Sequence, residues 1–244
     1  MIWMIQTILK MIPSNKIAVV ITAAGSSTRI GSGSKKEYLQ YKNGTVLSNC
    51  AKTFLKACVS KYEIIDFIVT CPQNGQQACK AALADVDFSS LQCGLKIVEG
   101  ASTRQKSVYN ALCQVSGDTC VVAIHDGARP FVTEQIIQNS IDGAIEYGAS
   151  VPGVTPVDTQ KEIDENGFIV RHLQRSLLTA VQTPQCFQFH KLLDAHMQAM
   201  NDGKEYTDDT EIWGVYCGRV KTVPGDVNNI KITYPEDLRR LESK

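Results

Sequence analysis

The chain has 244 residues, 43% of them hydrophobic and 20% charged, a balance that supports a buried core and excludes the charge-rich composition of a disordered chain. Its 25 basic and 25 acidic side chains cancel, so no nucleic-acid partner is expected, and an anionic ligand must be met by a local cluster of cations. The nine cysteines are scattered with no C-x-x-C pair; they read as reduced packing residues of a cytoplasmic protein, not as zinc ligands.

Residues 1–16 read as an N-terminal extension. Its apolar stretch, residues 1–12, lacks a basic leader, is interrupted by Lys10, and is shorter than the roughly 20 residues a membrane span needs, so no membrane association is expected. From Ile17 onward short β-branched runs alternate with helical periodicity, the pattern of βαβ units around a mainly parallel sheet. Strands are predicted at 17–22, 63–70, 95–98, 120–125, 149–154 and 219–223. Helices are predicted at 46–58, where Val46, Leu47, Cys50, Ala51, Phe54 and Leu55 share one face, at 104–112, and at 133–147. Thr133 is the expected cap of the last helix and Gly148 its expected stop. Residues 155–175 break the rhythm: Glu165-Asn166-Gly167 signals a hairpin. A lone two-stranded ribbon is barely stable in water, so this arm is expected to pack on a second subunit. Residues 17–244 are otherwise a single domain.

The loop after the first strand runs Ala23-Ala24-Gly25-Ser26-Ser27-Thr28-Arg29-Ile30-Gly31-Ser32-Gly33-Ser34-Lys35-Lys36-Glu37-Tyr38-Leu39. In an open α/β sheet such a loop faces the ligand. Small residues let backbone N–H groups approach phosphate oxygens, and Arg29 and Lys36 add charge on long stems, so the loop reads as an anion cradle. It matches neither G-x-G-x-x-G nor the P-loop pattern, which argues against dehydrogenases and Walker-type ATPases.

This segment resembles the A-A-G-x-G-x-R-M-G-x-x-x-P-K-Q-[YF]-L signature of the 2-C-methyl-D-erythritol 4-phosphate cytidylyltransferase family. Ser27, Lys35 and Glu37 depart from it, where the signature has glycine, proline and glutamine. The stretch Gly100-Ala101-Ser102-Thr103-Arg104-Gln105-Lys106-Ser107-Val108 is similar to that family's G-G-x-x-R-x-[DE]-S-V, with Ala101 and Lys106 as departures. The likeness makes Ser107 the expected reader of the cytosine, since a hydroxyl and backbone amides can match a pyrimidine's polar edge and leave a wrong base unpaired.

Ile124-His125-Asp126-Gly127-Ala128-Arg129-Pro130-Phe131 ends a strand with a carboxylate and a guanidinium and resembles H-D-A-A-R-P. Asp126 is placed to hold Mg²⁺ or another divalent cation beside a triphosphate; the plainer reading is that Asp126 and Arg129 pair across a turn. Asp158-Thr159, Arg175 and Thr183-Pro184-Gln185 resemble further family elements, and hydroxyls with a guanidinium suit a phosphomonoester. Thr207-Asp208-Asp209 and Asn229-Ile230-Lys231-Ile232-Thr233 are similar to T-D-[DE] and N-I-K-[IV]-T.

The resemblance spans about residues 17–240 and implies a Rossmann-like three-layer α/β/α nucleotidyltransferase fold with a protruding β-arm. It also implies a homodimer and a reaction of CTP with a small polyol phosphate that releases pyrophosphate. Ala23, Ala24, Gly25, Ser26, Ala101, Ser107, Asp126 and Gly127 are then expected at the nucleotide. Arg129, Thr159, Arg175, Thr183, Thr207 and Lys231 are expected at the polyol phosphate, with Arg29, Lys36, Arg175 and Lys231 as the cations of the reaction. A ribitol 5-phosphate cytidylyltransferase and a silent nucleotide-binding protein on the same fold stay as alternatives. Ala23-Ala24-Gly25 and Ala128 resemble the methylerythritol branch, and retention of the cations speaks against a silent protein.

Overall fold

The computed structural model describes residues 15–25, 35–91 and 94–242. In chain order, β1 (Lys16–Thr22) is followed by a 3-10 turn (Lys36–Tyr38), β2 (Gln40–Tyr41), β3 (Gly44–Thr45), α1 (Val46–Cys58), β4 (Glu63–Cys71) and α2 (Gln76–Ala82). Next come β5 (Leu95–Glu99), α3 (Arg104–Leu112), β6 (Val121–Asp126), α4 (Glu134–Tyr147) and β7 (Ala149–Val154). The arm is β8 (Lys161–Ile163) and β9 (Ile169–His172). After it lie β10 (Ala180–Val181), β11 (Gln185–Gln188), α5 (Phe189–Asn201), α6 (Asp209–Tyr216) and β12 (Lys221–Pro224).

Why β1 lies at the centre follows from its side chains. Its five inner residues are apolar and buried, so both of its faces need covering. Ile17, Val19 and Ile21 pack on one face with Leu47, Phe54, Ile137 and Ile141 of α1 and α4. Ala18 and Val20 point the other way, to Val108 and Leu112 of α3 and Leu192 of α5. Three layers result, helices on either side of one sheet.

The sheet order is β10-β7-β11-β6-β1-β4-β5, with β12 paired to β7. β6, β1, β4 and β5 are mutually parallel, so their carboxyl ends converge on one edge of the layer. β11 runs antiparallel between β6 and β7. It is absent from the sequence expectation because its four residues, Gln185-Cys186-Phe187-Gln188, are too short and too polar to show a period, although Cys186 and Phe187 enter opposite cores. The last expected strand, 219–223, begins later, at Lys221.

Local chemistry sets the helix ends. Thr45 accepts from Ser48 N at 3.0 Å and Ser48 Oγ accepts from Thr45 N at 2.8 Å, a reciprocal cap on α1. Thr133 caps α4 through Ile136 N at 3.3 Å, and Gly148 stops that helix at φ 89°.

In the arm, Lys161 faces His172 and Glu162 faces Arg171. Asp164 Oδ1 accepts from Asn166 N and Phe168 N to close its turn, with Gly167 at φ 84°. Ile163, Phe168, Ile169 and Val170 are all exposed. Among the described residues no helix is long and apolar enough to cross a membrane.

Candidate active site

The carboxyl ends of β1, β5 and β6 form one wall. Ala23 N donates to Thr70 Oγ1 at 3.0 Å, which holds the chain leaving β1 against β4. Gly100, just past β5, packs so tightly on this chain that a Cβ there would lie 2.3 Å from Ala24 Cβ and 2.9 Å from Ser107 Oγ. Only glycine admits that approach. Ser107 Oγ accepts from Ala101 N at 2.9 Å and donates to Thr103 O at 2.8 Å. Its proton is thus used within the turn, and one lone pair remains to accept from a base's amino group.

β6 delivers Asp126 to the same edge. Lys231 Nζ lies 2.9 Å and Arg129 Nε 3.5 Å from Asp126 Oδ2, while Thr22 Oγ1 is 3.4 Å from Oδ1. Burial opposes ionisation of this carboxyl, yet the charges of Lys231, Arg104 and Arg129 outweigh it and hold its pKa well below the usual carboxylate range. Arg129 Nη1 also donates to Asn229 O at 2.7 Å, and Ile232 N donates to Ala128 O at 2.8 Å. The 229–232 segment is therefore laced to the end of β6 on both sides of Lys231. The expected Asp126 to Arg129 pair exists, and Lys231 is the closer partner.

His125 is fully buried. Its Nε2 faces Arg129 O at 3.2 Å, and a carbonyl can only accept, so Nε2 carries the hydrogen. Nδ1 is then the acceptor for the Thr183 hydroxyl at 3.0 Å, and that hydroxyl in turn accepts from Asp126 N at 3.1 Å. The Thr183 hydroxyl thus links His125 to the backbone of Asp126 and orients that residue. Gly127 is engaged at the same strand end. Its N donates to Thr22 O at 2.9 Å, and a Cβ would press on Leu47 and on that carbonyl, both at 3.1 Å, so it serves packing of the strand end.

A second ionic group lies behind the wall, and its pairing of two motif residues was not among the sequence expectations. Arg104 Nη1 is 2.7 Å from the fully buried Asp209 Oδ2, and Asp209 Oδ1 is 3.1 Å from His196 Nε2. Gln185 Oε1 accepts from Asp209 N at 3.2 Å and its Nε2 donates to Asp208 Oδ2 at 3.1 Å. Arg104 is close enough to Asp126 for each to bear on the other's ionisation. Thr103 caps α3 by accepting from Lys106 N at 3.3 Å, so the signal available in sequence was an arginine directly after a helix cap together with an acid at a helix start.

Of the remaining expected residues, Ala24 and Gly25 lie at the wall, and Ala101 is exposed beside it. Lys36 is buried in the 3-10 turn before α1. Cys50, whose thiol donates to Gly127 O at 3.6 Å, is pushed up first by burial and also by Glu37 of that turn and by Asp126. Ser26 and Arg29 fall outside the described residues. Thr159 and Arg175 are exposed on the arm, where Arg175 Nη1 donates to Val157 O at 2.7 Å. Thr207 Oγ1 donates to Glu211 Oε2 at 3.0 Å at the start of α6. No bond joins these three to Asp126 within the subunit. A groove of about 460 Å³, lined by Lys16, Leu55, Tyr62 and Asp118 among others, opens at the opposite, amino end of β1 and β4 and carries no convergent charge of one sign.

Comparison with known proteins decides what this edge belongs to. The family model for 2-C-methyl-D-erythritol 4-phosphate cytidylyltransferase matches residues 17–243. The chain belongs to that family. It is therefore a nucleotidyltransferase, and its reaction is CTP-dependent cytidylyl transfer to 2-C-methyl-D-erythritol 4-phosphate in isoprenoid-precursor synthesis. A 2-C-methyl-D-erythritol 4-phosphate cytidylyltransferase of Clostridium botulinum is 41% identical over 92% of this chain and 95% of its own length. One from Clostridium novyi is 39% identical over 94% and 96%. Among solved structures, the 4-diphosphocytidyl-2C-methyl-D-erythritol synthase of Anaerococcus prevotii superposes with a TM-score of 0.81 at 26% identity, covering 96% of this chain and 97% of that one. The Thermus thermophilus cytidylyltransferase gives 0.72 at 28% identity, covering 93% and 98%. The structural likeness thus extends over nearly the whole chain.

The neutral His125 of this cytidylyltransferase gives a stability test. Burial pushes its pKa from near 6.5 down to about 4. Between these values the unfolded chain binds a proton that the folded chain refuses, so this contribution is intact above pH 6.5 and is lost as pH falls toward 4. Denaturant unfolding of wild type and His125→Gln at pH 7 and 4.5 is expected to show wild type losing about 2 kcal/mol more than the variant over that interval. Equal losses would mean that His125 is not held neutral.

Proposed function

We propose that the cytidylyl transfer is catalysed by fixed positive charge at the carboxyl edge of the sheet, with no general base. A phosphomonoester is already ionised near neutral pH. One of its oxygens attacks the CTP α-phosphorus in line, the bond to the bridging oxygen of the β-phosphate breaks, and pyrophosphate leaves with that electron pair. Negative charge grows on the phosphorus oxygens and the leaving group, so positioned cations lower the barrier.

The observation that carries this reading is the Asp126, Lys231 and Arg129 cluster beside the Ala24, Gly100 and Ser107 wall. In this reading Lys36 and Arg29 neutralise the transition state, and Lys231 with Arg129 orients the nucleophilic phosphate. The wall takes the cytosine, and the lone pair left on Ser107 meets its amino group. Arg104, braced by Asp209, adds charge on the nucleotide side.

The donor set suits a divalent cation as well. Among the described residues Asp126 Oδ1 meets Thr22 Oγ1 at 3.4 Å, and Mg²⁺ is commonly held by one or two carboxylates with phosphates and water completing the shell. Asp126 would hold that ion, which when bound supplies positive charge to the triphosphate. The described residues contain no group of three or more acidic, histidine or cysteine ligands that would make a site without the nucleotide.

The working unit is a homodimer formed through the arm. The exposed Ile163, Phe168, Ile169 and Val170 favour it, because a ribbon presenting such residues gains by covering them. Arg175 and Thr159, remote from Asp126 in bonding terms, then serve the partner's site, with Arg175 taking the polyol phosphate in a planar fork. Buried free thiols such as Cys50, Cys58 and Cys186 support a reducing, cytoplasmic setting.

Purified protein with CTP and Mg²⁺ is expected to release pyrophosphate with 2-C-methyl-D-erythritol 4-phosphate and not with ribitol 5-phosphate. In that assay Lys36→Ala should lower kcat by about 10²–10³, the scale of losing one donor to a developing anion, with its circular dichroism unchanged. Near-normal turnover would remove Lys36 from the mechanism. Arg175→Ala should raise the KM for the sugar phosphate more than that for CTP, and equal shifts would contradict its assignment.

A further inference from the structure

The charged residues at two of the positions where the first loop departs from the family signature meet each other in the folded chain. Lys35 stands where the signature has proline and Glu37 where it has glutamine. Their side chains are only 11% and 5% exposed, and Lys35 Nζ lies 3.4 Å from Glu37 Oε2. The same ammonium donates to Gly25 O at 2.5 Å and sits 5.8 Å from the centre of the Tyr38 ring. Its charge is also felt at Cys71, at the carboxyl end of β4, and at Cys79.

Each change alone would be costly. Proline fixes its own φ and restrains the residue before it, so lysine at 35 gives up a backbone constraint next to Lys36. A buried ammonium without a partner is heavily penalised, and so is a buried carboxylate. Together the changes answer one another. Glu37 supplies the charge that lets Lys35 stay buried, and Lys35 ties Gly25, at the wall, to the turn that carries Lys36.

We propose that Lys35 and Glu37 are a positioning pair which replaces the signature's proline and glutamine and fixes Gly25 and Lys36 relative to each other for the phosphates of CTP. The pair touches no reacting atom. The proposal rests on the reading of Lys36 as a cation for those phosphates.

The test is a double-mutant cycle of Lys35→Pro, Glu37→Gln and the two together, with kcat and KM for both substrates measured by pyrophosphate release below the melting range of all four proteins. Each single variant is expected to lose roughly tenfold in kcat/KM for CTP, the order of coupling between residues in contact. The double variant is expected to return to within about threefold of wild type. The KM for 2-C-methyl-D-erythritol 4-phosphate should stay put throughout, which a general loss of structure would not allow. Losses that multiply in the double variant, single variants without effect, or equal shifts for both substrates would overturn the pairing. If Lys35→Pro does not fold, Lys35→Met takes its place, and Glu37→Gln is then expected to cost less in the Lys35→Met background than in wild type; an equal cost in both backgrounds overturns the pairing. A Lys36→Ala control separates the two claims. If it is crippled while the cycle is additive, the pair fails and the cradle stands; if it is fully active, the cradle itself fails.

Discussion

One buried carboxylate at the end of a central strand holds charges that arrive from far along the chain. Asp126 ends β6, and its oxygen Oδ2 faces Lys231 at 2.9 Å and Arg129 at 3.5 Å. Burying such a group is unfavourable on its own, and the mutual attraction does little more than offset the desolvation of all partners. What the cluster provides is orientation. Arg129 bonded to Asn229 O, Ile232 bonded to Ala128 O, and Asn229 Nδ2 donating to Thr183 O at 3.1 Å lock the Lys231 segment in one register against the sheet. The Thr183 and His125 bonds hold the backbone N–H of Asp126 in place, with the imidazole kept neutral so that it adds no charge of its own. A lysine presented this way loses little freedom when a phosphate arrives, and that saving is where preorganised sites gain their rate.

Close backbone approach is the complementary constraint. Gly100 against Ala24 leaves a flat wall without bulk, and the Ser107 hydroxyl is turned into it by bonds to its own loop. Charge on one side and a small-residue wall on the other fit a molecule with a polyphosphate tail and a planar base. Arg104 is held by the buried Asp209, itself bonded to His196.

Much of this was legible in the sequence, for identifiable reasons. β1, β4 and β6 announce themselves because a strand buried on both faces must be continuously apolar, and α4 because Thr133 and Gly148 carry the chemistry of helix ends. Asp126 was readable as the carboxylate ending a strand, while Ser107 and Lys231 were expected only through the resemblance of their motifs to the family's. What escaped was tertiary. β11 is four residues long and inserts antiparallel between β6 and β7, a choice made by its neighbours and not by its own pattern. The bond from the Thr183 hydroxyl to His125, 58 residues away in sequence, could not be read from the motif, because a hydroxyl in a motif says nothing about its partner. Asp209 gave no sign of being fully buried, since acidic residues at helix starts are usually solvated. The Lys35 and Glu37 changes each looked like damage to a signature, and only their 3.4 Å separation makes them one event.

The convergence of these charges on a nucleotide is tested most directly by a crystal structure of the protein soaked with CTP and Mg²⁺. The triphosphate is expected beside Asp126, within ion-pair distance (about 4 Å) of Lys36, with the cytosine against Ala24, Gly100 and Ser107 and Lys231 left facing the side from which the polyol phosphate attacks. Density for CTP in the groove at the amino end of β1, beside Lys16 and Asp118, with the Asp126 edge empty, would contradict it.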